Sequence, residues 1–182
     1  MHKMNNMTGG LNVKRKLIRE KTVCFTGHRS EKLPKGEALE HLRIRLLEEI
    51  EKAIKDGYNT FIFGGAYGWD LMAAEEVVKK KTVIDFDNPR YIRLIAVIPY
   101  EEQAVRYSIA DHELYYEIMP KCDEVITLNT HYNIRCYAQR NQYMVEHSSR
   151  IICYWNRQAR SGTAQTVRMA EKENLEIINL YE

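Results

Sequence analysis

The feature that most constrains the fold is a regular alternation of short apolar segments with longer amphipathic ones. The short segments are rich in β-branched residues and predict strands over residues 21–26, 59–63, 93–98, 124–128, 150–155 and 175–180. The stretches between them carry apolar residues at helical spacing and predict helices over residues 37–55, 69–80, 101–118 (in one or two pieces), 135–147 and 163–173. Such an alternation predicts a parallel sheet joined by helical crossovers.

The predicted strands are apolar throughout, which is typical of a sheet covered by helices on both faces. We therefore expect an α/β fold, a Rossmann-like three-layer α/β/α domain with a mainly parallel sheet. A single domain of this kind accounts for residues 21–182, and residues 1–20 are expected to form a flexible tail. Residues 82–91 are predicted to be the longest irregular connection.

Composition argues against several classes of protein. No segment approaches the ~20 apolar residues of a membrane-spanning helix, and no apolar stretch follows the basic residues near the start, so neither a membrane nor a secreted protein is expected. The four cysteines lack CxxC spacing and no HExxH motif occurs, so no metal site is predicted. Cysteines beside apolar runs are expected to be buried, reduced thiols, which fits a cytoplasmic protein. A formal net charge of +2 argues only weakly for nucleic acid.

The loops at the carboxyl ends of the strands are the places to look for a ligand site in such a fold. The first of them holds Gly27, His28 and Arg29. The glycine permits a sharp turn, and the two side chains after it can donate hydrogen bonds to an anion. A tight turn with a solvated arginine explains the same residues equally well.

The second loop, FGGAYGWD, joins a predicted strand to a helix and is rich in glycine. Gly64, Gly65 and Gly68 remove side chains where a backbone approaches a neighbour, and N–H groups at the start of the next helix favour an anion. We expect these glycines to approach a phosphate or ribose, with close packing as the alternative. Asp70 follows in the first helical turn, where it either supports the helix dipole or binds ribose hydroxyls.

After the third strand, Gln103 is a candidate for contacting a polar edge of the ligand. Tyr100 and Tyr107 lie on either side of it in the sequence. These two rings either form a stacking wall for a base or simply pack at the edge of the core.

Polar candidates also occur in the last two helices. Arg140 and Asn141 lie on the fourth predicted helix, and spacing alone favours a solvated Arg140 over one that pairs with an anion. Ser161, Gly162 and Thr163 open the last helix. A hydroxyl there caps the helix, and the same N–H groups form an anion site.

Five motifs occur in a fixed order along the chain: TGHR at 26–29, GGAYGWDLMAAE at 64–75, PYEEQ at 99–103, RNQYM at 140–144 and SGT at 161–163. Together they resemble the YpsA-like family of the SLOG superfamily, whose relatives include the DprA DNA-processing proteins and the LOG phosphoribohydrolases. The resemblance implies a pocket made by the two glycine loops, with Arg140 near the phosphate or ribose. It also implies a nucleotide-derived ligand such as NAD or ADP-ribose.

One residue departs from the phosphoribohydrolase pattern. Those enzymes carry a PGGxGTxxE motif whose glutamate serves the cleavage of base from ribose, and Thr166 stands at that place here. Threonine supplies no carboxylate, so a catalytic residue is not assigned, although Asp70 or Glu75 is an alternative carboxylate.

Three functions remain after this comparison. We expect binding or sensing of a small nucleotide-derived ligand without a required cofactor, and without release of the free base. A nucleotide-processing hydrolase is the second interpretation. A DprA-like DNA-binding role is the third, disfavoured by the modest charge, and the sequence leaves a homo-oligomer open.

Overall fold

A sheet of parallel strands forms the centre of the structure, a computed structural model that describes residues 16–87 and 92–182. In the described part of the chain the strands are β1 (Thr22–Gly27), β2 (Thr60–Phe63), β3 (Arg93–Ile98), β4 (Glu124–Thr127), β5 (Arg150–Tyr154) and β6 (Glu176–Asn179). Their spatial order is β4-β3-β2-β1-β5-β6, and every neighbouring pair is parallel. The predicted Rossmann-like α/β fold is confirmed.

Helices cover both faces of this sheet. They are α1 (Glu37–Lys55), α2 (Trp69–Asp87), α3 (Ile109–Ile118), α4 (Cys136–Glu146) and α5 (Gly162–Lys172). Because successive strand side chains point to opposite faces, each strand contributes to two cores. Phe25 and Phe61 pack with α1, α2 and α3 on one face, whereas Cys24 and Ile62 pack with α4 and α5 on the other.

The predicted helix over residues 69–80 ends too early. Helix α2 continues to Asp87, so the prediction of an irregular connection is wrong for residues 82–87, and residues 88–91 lie outside the described residues. No glycine or proline interrupts this stretch, so the helix has no reason to end at Lys80. The Thr82 hydroxyl donates a hydrogen bond to the carbonyl oxygen of Val78, one helical turn earlier, at 3.0 Å.

The predicted helix over residues 101–118 is a helix only in its second part. Residues 101–107 form turns, and α3 begins after Ser108, whose hydroxyl oxygen accepts a hydrogen bond from the N–H of Asp111 at 3.2 Å. Before β1, Arg19–Lys21 forms a short 3₁₀ turn, and the Arg19 guanidinium donates to the carbonyl oxygen of Glu173 at 2.8 Å. The rest of the predicted tail, residues 1–15, lies outside the described residues.

The strand order reverses at β1. From β1 the chain moves outward through β2 and β3 to β4, and it then returns to place β5 on the other side of β1. The carboxyl ends of β1 and β5 therefore flank the crevice where open α/β sheets bind ligands.

The structure also bears on two of the classes of protein considered above, membrane proteins and metalloproteins. Over residues 16–87 and 92–182, no helix has both the length and the apolar character that a membrane span requires, and no group of side chains is arranged to hold a metal ion. The cysteines are free thiols, and Cys24, Cys136 and Cys153 are buried. Burial raises the pKa of both Cys24 and Cys153 to about 12.

Candidate functional site

A cavity of about 550 Å³ lies at the carboxyl edge of the sheet, next to the ends of β1 and β5. Its wall is formed by the loop after β1, the start of α2, one face of α4 and the first turn of α5. The volume lies within the range of small-molecule sites. The predicted site residues that line it are Gly27, His28, Arg29, Asp70, Arg140, Asn141, Ser161, Gly162 and Thr163.

The remaining predicted residues do not form part of the cavity wall. Gly64, Gly65, Gly68 and Gln103 are all buried beside it. The structure therefore brings the loop after β1, α4 and α5 together around one cavity. It places the glycines of the second loop in a supporting position.

Arg140 is the centre of a buried polar network. Its Nε donates to the Asn141 side-chain oxygen at 2.7 Å, and its Nη1 donates to the carbonyl oxygen of Gly64. Gln103 donates to the same Gly64 carbonyl at 3.3 Å. Arg140 is only 7% exposed, so the solvated alternative is wrong.

Asp70 is the anionic partner in this network. Its Oδ2 accepts a hydrogen bond from the N–H of Gly64 at 3.1 Å and lies 3.6 Å from Nη1 of Arg140. Burial raises the pKa of Asp70 and lowers the pKa of Arg140, while the attraction between the two charges opposes both shifts. The pair places a cation and a carboxylate side by side at the cavity wall.

The glycines of the second loop are required by close packing. A side chain at Gly64 would collide with Arg140, and one at Gly65 with Gln103 and Ile98. Gly65 and Gly68 also have positive φ angles of 68° and 88°, which favour glycine. The packing alternative thus accounts for these positions.

The start of α5 is an open helix N-terminus. Ser161 is the N-cap, and its hydroxyl oxygen accepts a hydrogen bond from the N–H of Ala164 at 3.0 Å. Gly162 and Thr163 are the first two residues of α5, so their N–H groups have no acceptor within the helix. Thr166 points back into its own helix, where its hydroxyl donates to the carbonyl oxygen of Gly162 at 3.0 Å. The helix start and the buried Arg140 line the same cavity, and both favour an anion there.

His28 connects the two loops that flank the crevice. Its Nε2 accepts a hydrogen bond from the N–H of Asn156 at 3.1 Å, and its ring packs edge-on against Tyr154. An accepting Nε2 requires the neutral imidazole. Desolvation by burial, together with the charge of Lys32, lowers the pKa of His28. His28 therefore supports the shape of the site in its neutral form.

Acidification should destabilise the fold through His28. Because the folded pKa lies below the unfolded value of about 6.5, the unfolded chain binds the proton first, and the free energy of unfolding falls as pH drops through that value. We expect His28→Gln, which retains an acceptor and cannot titrate, to lose less stability than the unmodified protein between pH 7.5 and 5.5, by at most about 1.4 kcal/mol, the free energy of one pKa unit. Urea unfolding at the two pH values measures this difference.

The exposed His41 provides the control for that measurement. His41→Gln makes the same substitution outside the cavity wall, so it reports any effect of replacing a histidine that is unrelated to His28. Parallel pH dependences for His28→Gln and the unmodified protein would show that His28 does not carry the effect.

Several wall residues were not among the predicted site residues. Glu31, Lys32, Tyr137 and Gln165 also line the cavity. Tyr137 lies one helical turn before Arg140, so the helical spacing offered a signal for it. The other three are solvent-exposed neighbours of predicted residues, and no pattern distinguishes them from ordinary surface residues.

The predicted stacking wall of Tyr100 and Tyr107 does not line the cavity. The hydroxyl of Tyr107 donates to the carbonyl oxygen of Gly65 at 3.0 Å, and its ring packs on Tyr67. Tyr100 instead contacts Tyr137, with 3.3 Å between the two hydroxyl oxygens. Glu75, considered as a substitute carboxylate, is also outside the wall and is paired with Arg43 at 2.6 Å.

These features define a class of protein: a Rossmann-like domain with a buried arginine and a helix N-terminus at the switch point of its sheet. A family model described as the YspA SLOG family matches residues 23–180. The chain belongs to this family, which confirms the resemblance carried by the five motifs.

Proteins similar to the chain include two of the UPF0398 type. One from Halalkalibacterium halodurans is 23% identical over 158 residues, which cover 84% of this chain and 81% of that protein. One from Bacillus pumilus is 20% identical over 157 residues, covering 83% of this chain and 82% of that protein.

A solved structure of DNA processing protein A from Helicobacter pylori has a similar fold. The TM-score is 0.61 at 18% identity, and the match covers 90% of this chain and 66% of that one. The work on that protein concerns its single-stranded DNA binding mode. At this identity the similarity establishes the fold alone.

Proposed function

We propose that the cavity binds a small nucleotide-derived ligand of the NAD and ADP-ribose class, with a phosphate held between Arg140 and the start of α5. The observation that carries the proposal is a buried guanidinium that shares one cavity with the start of α5, where the N–H groups of Gly162 and Thr163 have no acceptor within the helix. A phosphate has the charge and the acceptor oxygens that this combination lacks.

The charge balance of the wall supports an anionic ligand. Arg29, Lys32 and Arg140 line the cavity, against the carboxylates of Asp70 and Glu31. Glu31 also accepts a hydrogen bond from the hydroxyl of Tyr67 at 3.1 Å, which occupies one of its oxygens. Cations therefore exceed carboxylates at the wall before any ligand is present.

A substitution that removes one N–H group tests the phosphate site directly. Gly162 is the first residue of α5, where proline is tolerated, and Ser161 before it is already extended with φ −156° and ψ 161°. We expect Gly162→Pro to weaken binding of AMP and ADP-ribose about 10- to 150-fold, because a hydrogen bond to a charged group contributes about 1.5–3 kcal/mol. Isothermal titration calorimetry measures the change.

Gly162→Ala is the matched control. A side chain at this position meets open space, and alanine retains the N–H group, so the affinity should stay near that of the unmodified protein. Adenosine has no phosphate, so its affinity should be the same for the proline and alanine variants. Equal affinities of the proline and alanine variants for AMP would exclude a phosphate at this helix start.

A ligand screen comes before these titrations. A ligand at about 100 times its Kd stabilises the fold by about 2.7 kcal/mol, or roughly 5–10 °C in Tm for a chain of this length. The panel contains nucleoside monophosphates, NAD, ADP-ribose and a single-stranded oligonucleotide, since the structural neighbour binds single-stranded DNA. Stabilisation by the oligonucleotide alone would favour the DNA-binding alternative.

A second candidate function is hydrolysis of the bound nucleotide, and the buried Asp70 favours it. A carboxylate whose pKa is raised by burial is suited to proton transfer. Thr166 and Glu75 do not face the cavity, so Asp70 is the residue to test. Release of free base from AMP that disappears in Asp70→Asn, while AMP still binds, would establish this activity.

A further inference from the structure

Three tyrosines form an aromatic surface that continues from the cavity wall onto the outside of the protein. Tyr137 lines the cavity, and its ring centroid lies 6.0 Å from that of Tyr100 and 6.3 Å from that of Tyr132. Tyr100 and Tyr132 are 5.6 Å apart, with their planes at 78°. We call Tyr100, Tyr132 and Tyr137 the tyrosine platform. Tyr132 is its outer member, with 61% of its surface exposed.

The loop that carries the outer ring of the platform is ordered by hydrogen bonds. Between β4 and α4, the side chain of Asn129 donates to the carbonyl oxygen of Pro99 at 2.8 Å, and the side chain of Asn133 donates to Asn129 at 3.0 Å. The N–H of Arg135 donates to the Asn133 side-chain oxygen at 2.9 Å. The loop is thus anchored on both sides of Tyr132, so a partner that stacks on this ring has little of the loop to order.

We propose that the tyrosine platform is a nucleobase subsite, with the base of the ligand leaving the cavity over Tyr137 and stacking on Tyr132. The inference rests on the proposed function, which places the phosphate at Arg140 in the same cavity. The guanidinium carbon of Arg140 lies 5.9 Å from the centroid of the Tyr137 ring, and the centroid of the Tyr132 ring lies 6.3 Å from that of Tyr137. A ribose can therefore lie over Tyr137, between a phosphate at Arg140 and a base on Tyr132.

The chemistry of the platform predicts which ligands it accepts. Stacking on an aromatic ring tolerates any base, because every base has a π-face. We therefore expect nucleoside monophosphates with different bases to bind with similar affinities. Each should bind more tightly than ribose 5-phosphate, which has no base.

Removal of the outer ring tests this subsite. Tyr132→Ala should weaken AMP about 5- to 150-fold, the range measured for loss of a base–aromatic stack, and leave ribose 5-phosphate unchanged. Tyr132→Phe retains the ring and should bind AMP as the unmodified protein does. The matched control is Tyr116→Ala, which removes a tyrosine that is 54% exposed on α3, where it contacts His112. Calorimetry with AMP and with ribose 5-phosphate provides the affinities.

The outcomes separate this inference from the proposed function. If AMP binds but Tyr132→Ala binds it equally well, or if ribose 5-phosphate matches AMP, the platform is not a base subsite and the phosphate site stands. If neither compound binds, the proposed function fails and this inference with it. If Tyr132→Ala weakens only a single-stranded oligonucleotide, the platform serves a strand, and the nucleotide subsite is excluded.

Discussion

Arg140→Ala is expected to lower the free energy of unfolding by about 3–5 kcal/mol, the cost of removing one partner from a buried ion pair. Without the guanidinium, the buried carboxylate of Asp70 loses its cation, and the carbonyl oxygen of Gly64 loses a donor. Total stabilities of domains lie at about 5–15 kcal/mol, so this single change removes a large fraction. Urea unfolding followed by circular dichroism measures the loss.

An exposed arginine and a double mutant provide the controls. Arg168→Ala removes a solvent-exposed guanidinium that donates to the carbonyl oxygen of Ala159 at 2.9 Å, and it should cost no more than about 0.5 kcal/mol. Combining Arg140→Ala with Asp70→Asn should cost less than the sum of the single changes, because the neutral amide no longer needs the cation. Additive costs would show that Arg140 and Asp70 act independently.

This expectation also decides how ligand binding has to be tested. Arg140→Ala also removes the contacts of Arg140 with Gly64 and Asp70 at the cavity, so weaker binding by this variant cannot be assigned to a lost phosphate contact alone. Gly162→Pro avoids the difficulty, because the change lies at an exposed helix start with open space around it.

The fold was predictable because its signal is local. Each strand is a short apolar run, and each helix has its own periodicity, so the alternation of the two determines the parallel sheet. The strand Arg93–Ile98 and the helix Glu37–Lys55 were predicted to the residue. The end of α2 was not predicted to the residue. The periodic pattern weakens after Lys80, which suggested an end there, but the segment contains no residue that stops a helix.

The depth of Arg140 was not predictable from spacing. Its burial depends on Asp70 and Gly64, which come 70 and 76 positions earlier in the chain and reach Arg140 only through the fold. A helical pattern reports which face a residue shares with its neighbours, and it contains no information on a partner from another element. The family resemblance implied a position beside the phosphate or ribose of a ligand, and this stays a prediction.

The glycines of the second loop show another limit of prediction from sequence. Three closely spaced glycines indicate that something approaches the backbone, but the sequence does not say what. In the structure the approaching groups belong to the protein: Arg140 at Gly64, Gln103 at Gly65 and the loop after β1 at Gly68. A phosphate and a neighbouring loop impose the same requirement on a residue, so only the coordinates distinguish them.

Gly68→Ala is expected to lower the free energy of unfolding by about 2–5 kcal/mol, because two costs add. Its φ of 88° costs a non-glycine residue about 1–2 kcal/mol, and the new Cβ would lie 2.5 Å from the backbone nitrogen of Ser30, an overpacking cost of about 1–3 kcal/mol. Gly57→Ala separates the two terms, since Gly57 has a φ of 96° with nothing within 4 Å of an added Cβ, and it should show the backbone cost alone. Urea unfolding of both variants gives the difference. Equal losses would mean that the loop after β1 moves aside, and the cavity that this loop borders would then be less rigid than the packing against Gly68 indicates.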